Sequence, residues 1–549
     1  MKTSFDNLSS IIWNAPDDVL RGLFKPHEYG RIILPFAVLR RLDCVIEKKK
    51  DEVISLHNQY KNKIDDLSSL ITKKIKLPFY NFSKFDLSRI KSDPQNTLIN
   101  FENYKNSFSN NVSQIIKYFE IDPLIQKINR EGRLHLLISK FTEIDLHPKV
   151  IDNHKMGSIY EELLRKFSEM TNEESGDHFT PRDIVNLIVK LLFEGDKENL
   201  KGDNKIRSIY DPCCGTGGML TIGKERILTK INSKIKIDLF GQELNDISYA
   251  ICKSDLLMLN ENVENIQGPN STLSKDKFKN RKFDYLISNP PFGQSWKSDR
   301  EFIKAEYENG NGRFVKGLPR VSDGTLLFFQ HLIDKMNDDG AKIAAISNGS
   351  ALFTGEEGSG ESEIRKWMIE KDIIEAIIRL PNEIFFNTPL TTYIWIMNNK
   401  KQKSRKNLIQ LIDSVEYFEK LRKPLGLKNK VINENHIDEI YNLYSSYKDT
   451  DNSKILRSSN FLYKSIKIET DEDKFNEKIP FEFNEKEYFK NNLKKFPKNS
   501  RINLDETVIG SEFIFNKFFY NFEKYIPKTQ ILKNIKSIEK KITDIINYE

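Results

Sequence analysis

Three short segments hold side chains whose types and spacing could do chemistry, and the sharpest is Asn289-Pro290-Pro291-Phe292, which leaves the apolar run FDYLIS. An exocyclic amine on a nucleobase is a weak nucleophile, because its lone pair is delocalised into the ring. If both its N–H groups donate, one to the Asn289 side-chain oxygen and one to the Pro290 carbonyl, the nitrogen can become tetrahedral and aim its lone pair at an electrophile. The prolines stiffen the backbone that carries this carbonyl, and Phe292 offers a face for a flipped base. A Pro-Pro turn after a strand is also common as plain structure, so the neighbouring motifs decide its weight.

The second segment is the loop after IRSIYD, which supplies Asp211, Pro212, Gly215, Thr216, Gly217 and Gly218 before a helix expected from about Met219. Glycines without Cβ atoms let the backbone approach a ligand at the carboxyl edge of a sheet, where open α/β folds bind nucleotides. The loop is neither G-x-G-x-x-G nor a triphosphate-binding G-x-x-x-x-G-K-[ST]. Glu243 ends the following strand, where a carboxylate can accept hydrogen bonds from both ribose hydroxyls. Asp211 would repel a pyrophosphate but attract a cationic amino group, which favours S-adenosylmethionine over NAD as cofactor. As plain structure, Asp211 would only cap the next helix.

The third segment is Asp177-His178-Phe179-Thr180-Pro181-Arg182. Thr180 fits a helix cap and Pro181 a first helical residue. His178 has no partner evident in the sequence and is given no catalytic role.

The elements that must position these segments are legible from periodicity. From Phe5 to about Arg165 apolar residues recur at three- and four-residue spacing, as in Ile32, Ile33, Phe36, Leu39 and Leu42, which predicts helices interrupted by a loop over Pro78 to Asp93. Seven β-rich runs follow, at 206–211, 235–243, 283–289, 341–347, 373–380, 391–397 and 407–413, alternating with helical stretches. That pattern predicts an α/β doubly wound, Rossmann-like sheet, with an antiparallel pair at one edge where the last runs crowd together. The lysine-rich KKQKSRK at 400–406 reads as a solvated turn or, more sharply, as a phosphate-contacting loop. Near the end Ile531, Ile535, Ile538, Ile542 and Ile545 step by four and three residues, the spacing of a seam that packs on its own domain or on a partner helix. The resulting expectation is a helical domain over 1–150, a catalytic domain over 151–450 and a C-terminal region over 451–549.

With 549 residues, 38% hydrophobic and 30% charged, the chain is long enough for two or three domains, and it has no apolar run able to cross a bilayer. No apolar signal core opens it, so a cytoplasmic protein without a membrane is expected. The four cysteines include no C-x-x-C pair, which points to reduced structural thiols and no metal. A net charge of +7 suits a polyanionic partner, though heavy Lys, Asn and Ile usage weakens that argument.

With these residues assembled, the chain resembles the N6-adenine DNA methyltransferases, and among them the modification subunits of type I restriction-modification systems. The likeness extends from HEYGRIILPFAVLRRLD through the stretch GSALFTGEEGSG to the tail VIGSEFIFNKFFYNFEKYIP. It implies an S-adenosylmethionine-dependent core with an N-terminal helical domain and a C-terminal helical tail. Asp177 to Arg182, Thr216 to Gly218 and Glu243 would be cofactor contacts, and Asn289 to Phe292 the catalytic motif. The partners it implies are double-stranded DNA, a separate specificity subunit bound by two copies of this chain, and a restriction subunit. In one place the sequence departs from the family pattern: QGPNSTLSKD (267–276) replaces a shorter adenine-contacting segment, which leaves the part of Asn270 and Ser271 open. Two alternatives stand beside this reading. One is a methyltransferase acting on RNA guanine or protein glutamine, which shares the Asn-Pro-Pro-aromatic pattern. The other is a non-catalytic DNA-binding scaffold that keeps the cofactor fold.

Overall fold

The computed structural model describes residues 5–171, 180–203, 205–291, 293–471, 473–520 and 527–546. The first segment is helical, and the apolar stripe read from the sequence is the reason. In the helix Gly30–Ile46, Ile32, Ile33, Phe36, Leu39 and Leu42 are all buried. The same helix buries Arg41, whose guanidinium donates to Leu146 O (2.5 Å), Ile151 O (2.8 Å) and Asn153 Oδ1 (2.6 Å). These three bonds offset the cost of burying the cation, and they pin the helix to the start of the next long helix, Asn153–Thr171. Asn153 Nδ2 in turn donates to Met258 O (3.2 Å), at the end of the helix Asp246–Met258. The Pro78 to Asp93 stretch is mostly loop, as expected, but also folds a short helix, Leu87–Lys91. One continuous apolar cluster runs from Ile12 through these helices to Tyr444, so the helical segment and the sheet share a core.

All seven predicted runs are strands: β1 (Ile206–Asp211), β2 (Lys236–Gln242), then, after a short unpredicted β3 (Ile266–Gln267), β4 (Tyr285–Ser288), β5 (Lys342–Asn348), β6 (Ile374–Arg379), β7 (Thr392–Asn398) and β8 (Leu408–Asp413). A hairpin follows, β9 (Glu419–Leu425) with β10 (Lys428–Val431), and then β11 (Ser453–Arg457). The main sheet has the order β11-β8-β6-β7-β5-β4-β1-β2-β3. Strands β1 to β6 and β8 run one way, while β7 is antiparallel to both β5 and β6.

Two expectations change here. The antiparallel strand β7 lies inside the sheet, not at its edge, because every residue of Thr392–Asn398 is buried and such a strand needs cover on both faces. The edge belongs to β11, which pairs antiparallel with β8. Because β11 belongs to the main sheet, that sheet extends past residue 450, where the sequence reading ended the catalytic domain. Strands β12 (Leu462–Glu469), β13 (Lys474–Pro480) and β14 (Arg501–Ser511) then form a separate three-stranded sheet. Arg365 fastens that sheet's last strand by donating twice to Ser511 O (3.0 and 2.8 Å).

This compact unit ends at Phe513, and a second unit follows from Ile514. In the second, the helix Lys528–Ile546 leaves Ile531, Ile535, Ile538 and Ile542 between 45 and 57% exposed. No helix among the described residues is long and apolar enough to cross a membrane.

The lysine-rich 400–406 segment is largely the solvated turn expected of it, but two of its cations are tied down. Lys401 is buried, donating to Asp372 Oδ1 (2.6 Å), Ile374 O (3.0 Å) and Leu408 O (2.7 Å), while Arg405 pairs with Glu375. The turn is strapped down by two of its own cations, while Lys400, Lys403 and Lys406 are exposed. Replacing Lys401 with Ala strips three acceptors of their donor and is expected to destabilise the protein by about 3 kcal/mol in denaturant unfolding. Lys403→Ala is expected to change stability by less than about 0.5 kcal/mol in the same measurement.

Candidate active site

Strands β1 and β4 are parallel neighbours, with Ile209 opposite Tyr285 and Tyr210 opposite Leu286. They therefore reach the carboxyl edge together, and their terminal side chains meet. The Ser288 hydroxyl donates to Asp211 Oδ1 (3.1 Å). With its only hydrogen committed, Ser288 Oγ accepts from the Cys213 thiol (2.9 Å). Cys213 N–H also donates to Asp211 Oδ1 (3.1 Å). Asn289 is the next residue after Ser288, so this bridge couples the glycine loop to the Asn-Pro-Pro turn.

The loop itself is held by packing and by Glu243. Gly217 adopts φ +81°, and a Cβ there would lie 2.8 Å from Cys252 Sγ. Cys214 Sγ fills the corresponding space over Gly241, again at 2.8 Å from where a Cβ would be. These thiols are packing groups, as the sequence reading expected. Glu243 Oε2 accepts from Gly215 N–H and Oε1 from Asn245 N–H, both at 2.8 Å. Each carboxylate oxygen retains a second lone pair for a ligand hydroxyl. The helix Gly218–Arg226 starts directly after the loop.

A cavity of about 400 Å³ opens above these strand ends. From the expected cofactor set, Thr180, Asp211, Gly215, Thr216, Gly218 and Glu243 line it. From the expected target set, Asn289 and Pro291 line it too, so the structure brings the two motifs to one space. Pro290 is buried beside them, and Gly217 faces Cys252. Asn270 and Ser271, left open by the sequence, also reach the wall, because Asn270 N–H donates to Glu243 O (3.0 Å) and Gln242 Nε2 to Asn270 Oδ1 (2.5 Å). Asp177, His178, Phe179 and Phe292 lie outside the described residues.

Thr180 and Pro181 sit one position earlier in the helix than expected. The helix is Arg182–Val189, with Pro181 at the cap position and no side-chain cap bond. Pro181 has ψ 141°, an extended value, so it precedes the helix instead of starting it. Arg182 makes a two-bond ion pair with Glu161 (2.8 and 2.9 Å).

Glu161 is the principal residue that sequence reasoning missed. It comes from the helix Asn153–Thr171, lines the cavity, and holds Oε1 2.6 Å from where a Cβ on Gly218 would be. A glutamate on a helix ordinarily reads as a solvated face, and only the arginine of the following motif hints otherwise. Phe328 and Thr272 also line the cavity without a sequence signal.

The electrostatics of this cavity are one-sided. Its described lining includes the carboxyls of Glu161, Asp211, Glu243 and Asp246, and no lysine or arginine. Burial pushes Asp211 up to about 7, against the lowering effect of its hydrogen bonds from Cys213 and Ser288. Burial also raises Glu243, partly offset by the N–H groups of Asn245 and Gly215. Such a site disfavours a di- or triphosphate and suits a ligand that carries positive charge. The lining therefore fits the cationic S-adenosylmethionine.

Comparison with known proteins points the same way. The family model for N-6 DNA methylases matches residues 151–488, and the model for the HsdM N-terminal domain matches residues 8–141. The type I restriction enzyme MjaIX methylase subunit of Methanocaldococcus jannaschii is 26% identical over 462 residues, covering 80% of this chain and 78% of that protein. The MjaVII methylase subunit of the same organism is 30% identical over 367 residues, covering 64% of this chain and 59% of its own length. The crystal structure of a type I restriction-modification methyltransferase subunit from Streptococcus thermophilus superposes with a TM-score of 0.64 at 21% identity, covering 83% of this chain and 97% of that one, a likeness of fold. The N-6 DNA methylase match favours adenine over the RNA-guanine and protein-glutamine alternatives.

The raised Asp211 has a measurable consequence. A carboxyl whose folded pKa lies above its ordinary 3.8 adds stability below that value, and the contribution is lost as pH rises through about 7. Between these limits the stability of the ligand-free protein should fall with pH, Asp211 accounting for at most about 1.4 kcal/mol per pH unit. In Asp211→Asn the fall between pH 5 and 7 is expected to be shallower by that share, as read from denaturant midpoints across pH; an unchanged slope would contradict the assignment.

Proposed function

This chain belongs to the N-6 DNA methylase family, and on that premise we propose that it is the modification subunit of a type I restriction-modification system, methylating N6 of an adenine extruded from double-stranded DNA. It is an adenine-specific methyltransferase that uses S-adenosylmethionine. The observation that carries the reading is the shared cavity, where the turn Asn289 to Pro291 and the glycine loop after Asp211 face one space.

When bound, S-adenosylmethionine supplies an electrophilic methyl group on a sulfonium. The chain's own residues do the rest. Asn289 Oδ1 and Pro290 O accept the two N–H groups of the adenine amine, which localises the nitrogen lone pair and points it into the cavity. The backbone of Pro290 and Pro291 keeps that carbonyl in place. Phe292 stacks on the extruded base. Glu243 and Asp211 hold the ribose and ammonium ends, and Arg182 keeps Glu161 turned to the loop through two hydrogen bonds. Thr180 lines the same cavity, and Asp177, His178 and Phe179 are assigned to cofactor contact on the motif alone. The proton that the methylated nitrogen sheds leaves to solvent, so no general base is required before attack.

The specificity subunit is the partner that the C-terminal helix fits. Its four half-exposed isoleucines form an apolar seam of the kind that pairs with another helix. Two copies of this chain per specificity subunit, and a restriction subunit where one is encoded, complete the assembly. Residues 1–150 form the helical domain of this arrangement, the catalytic domain begins at 151, and DNA as substrate places the protein in the cytoplasm.

The deciding experiment is transfer of labelled methyl from S-adenosylmethionine into DNA, with and without the specificity protein, followed by identification of the modified base. Asn289→Ala is expected to lower transfer at least about 100-fold while cofactor affinity stays within a factor of two to three; normal activity would overturn the role given to Asn289. Phe292→Ala should raise KM for DNA and slow transfer less severely. Removing the residues after Pro527 should weaken capture of the specificity protein, measured by co-purification, and leave cofactor binding intact. Unchanged capture would refute the docking role of the helix.

A further inference from the structure

The hairpin of β9 and β10 has an anchored strand and a bare one. It leaves the sheet after β8, which runs parallel to β6 and therefore ends on the carboxyl edge, the edge of the cavity. Its inner strand is fixed: Lys428 is buried, with Nζ donating to Asp183 (2.9 and 3.2 Å) and to Ile384 O (2.9 Å). Leu427 N–H donates to Phe386 O (2.8 Å), Asn429 N–H to Glu383 O (2.9 Å), and Ile432 N–H to Asp183 Oδ2 (3.0 Å). Asp183 follows Arg182 directly, so the arm is rooted in the helix start that lines the cofactor cavity through Thr180.

The outer strand buries nothing. Of Glu419–Leu425, every residue but Leu421 is exposed. It carries Lys420, Arg422 and Lys423, and none of the three enters an ion pair among the described residues, unlike the nearby Lys428 and Arg379, each of which has an aspartate. The one carboxylate in the hairpin sequence, Glu419, is engaged by Asn433 Nδ2 (2.6 Å). Lys420 lies directly opposite Lys430 in the ladder, and like charges placed so repel each other. Lys430 is drawn aside by Asn382 and by the Phe418 ring, 4.2 Å away. A two-stranded ribbon is marginal by itself; an exposed cationic strand on a firmly rooted base fits a partner that supplies a row of negative charge.

We infer that the hairpin Glu419–Val431 is a phosphate-contacting arm, with Lys420, Arg422 and Lys423 neutralising the backbone of duplex DNA beside the extruded base. This inference rests on the reading of the chain as a DNA methyltransferase. The contacts are to phosphates, so the arm adds affinity and orientation without sequence preference.

Binding of the full-length chain to a mixed-sequence DNA duplex, followed by fluorescence anisotropy between about 50 and 200 mM salt, tests it. Each neutralised phosphate contributes about 0.9 to the slope of log K against log salt, so the variant with Lys420→Ala, Arg422→Ala and Lys423→Ala should have a slope shallower by about 3. Restoring charge with Lys420→Arg and Lys423→Arg in otherwise wild-type protein should preserve the slope. Cofactor affinity should be unaffected in both. Equal slopes for wild type and the alanine variant, or no binding of the duplex by wild type, would overturn the inference. A wild type that binds with the full slope and yet transfers no methyl to adenine would defeat the catalytic reading and leave the arm standing.

Discussion

The hydroxyl of Ser288 stands between Asp211 and Cys213, at the point where β1 and β4 end side by side. The sheet register makes this contact obligatory: with Tyr210 opposite Leu286, the residues just beyond share one level of the carboxyl edge. A donor buried there must find an acceptor, and the acceptor it finds belongs to the cofactor loop. The loop that would hold a methyl donor and the turn that would hold a methyl acceptor are thereby fixed to each other through two hydrogen bonds, one buried and one part-buried. Both lie on central strands, so neither can shift without disturbing the core. Glu243 does the same from the other side, binding the loop at Gly215 and the next helix at Asn245.

The helical segment is not a detachable appendage to this site. Arg41 holds the start of the helix Asn153–Thr171, Asn153 holds the end of the helix Asp246–Met258, and Glu161 reaches the glycine loop from the same helix as Asn153. Asp255, on the helix Asp246–Met258, is buried and raised to about 7 by that burial, with the guanidinium of Arg182 acting in the opposite sense. Four helices therefore converge on a few buried charges next to the cavity. A shift of the helical segment against the sheet would be felt first at Glu161 and Arg182, whose pairing sets the charge at the loop.

Where a residue's role follows from its own strand, the sequence was sufficient to place it. Continuous apolar runs marked β1, β2 and β4 to β8, and the glycines, Glu243 and the Asn-Pro-Pro turn fall at strand ends that chain order alone locates. Relations between distant segments were not legible. The interior position of β7 depends on its pairing with both β5 and β6, an order across the sheet that chain order does not set, and β11 is too short and too polar to announce itself. Lys401 resembled its neighbours in KKQKSRK, yet its ammonium is buried between three acceptors, a fact that only the folded turn creates. Glu161 was invisible for the same reason, since its partner lies beyond the end of its own helix. Asn270 and Ser271 stood in an unusual insertion, and their approach to the cavity came from backbone hydrogen bonding to Glu243, which no side-chain pattern encodes.

The distribution of charge explains what the net value of +7 could not. Among the described residues the cavity gathers four carboxyls and no lysine or arginine, while the cations of the β9 strand, without ion pairs among those residues, stand outside it on the same edge of the sheet. A chain that handles a small cation and a long polyanion at one place must keep their counter-charges apart, because a lysine inside the cavity would repel a sulfonium and a carboxylate on the arm would repel phosphate. The fold achieves that separation by depth. Acidic groups sit at the strand ends, where burial strengthens their field, and basic groups sit on a ribbon raised into solvent, where long-range attraction counts. Lys428 marks the boundary between the two: a cation at the root of the arm, buried and neutralised by Asp183 before its charge can reach the cavity.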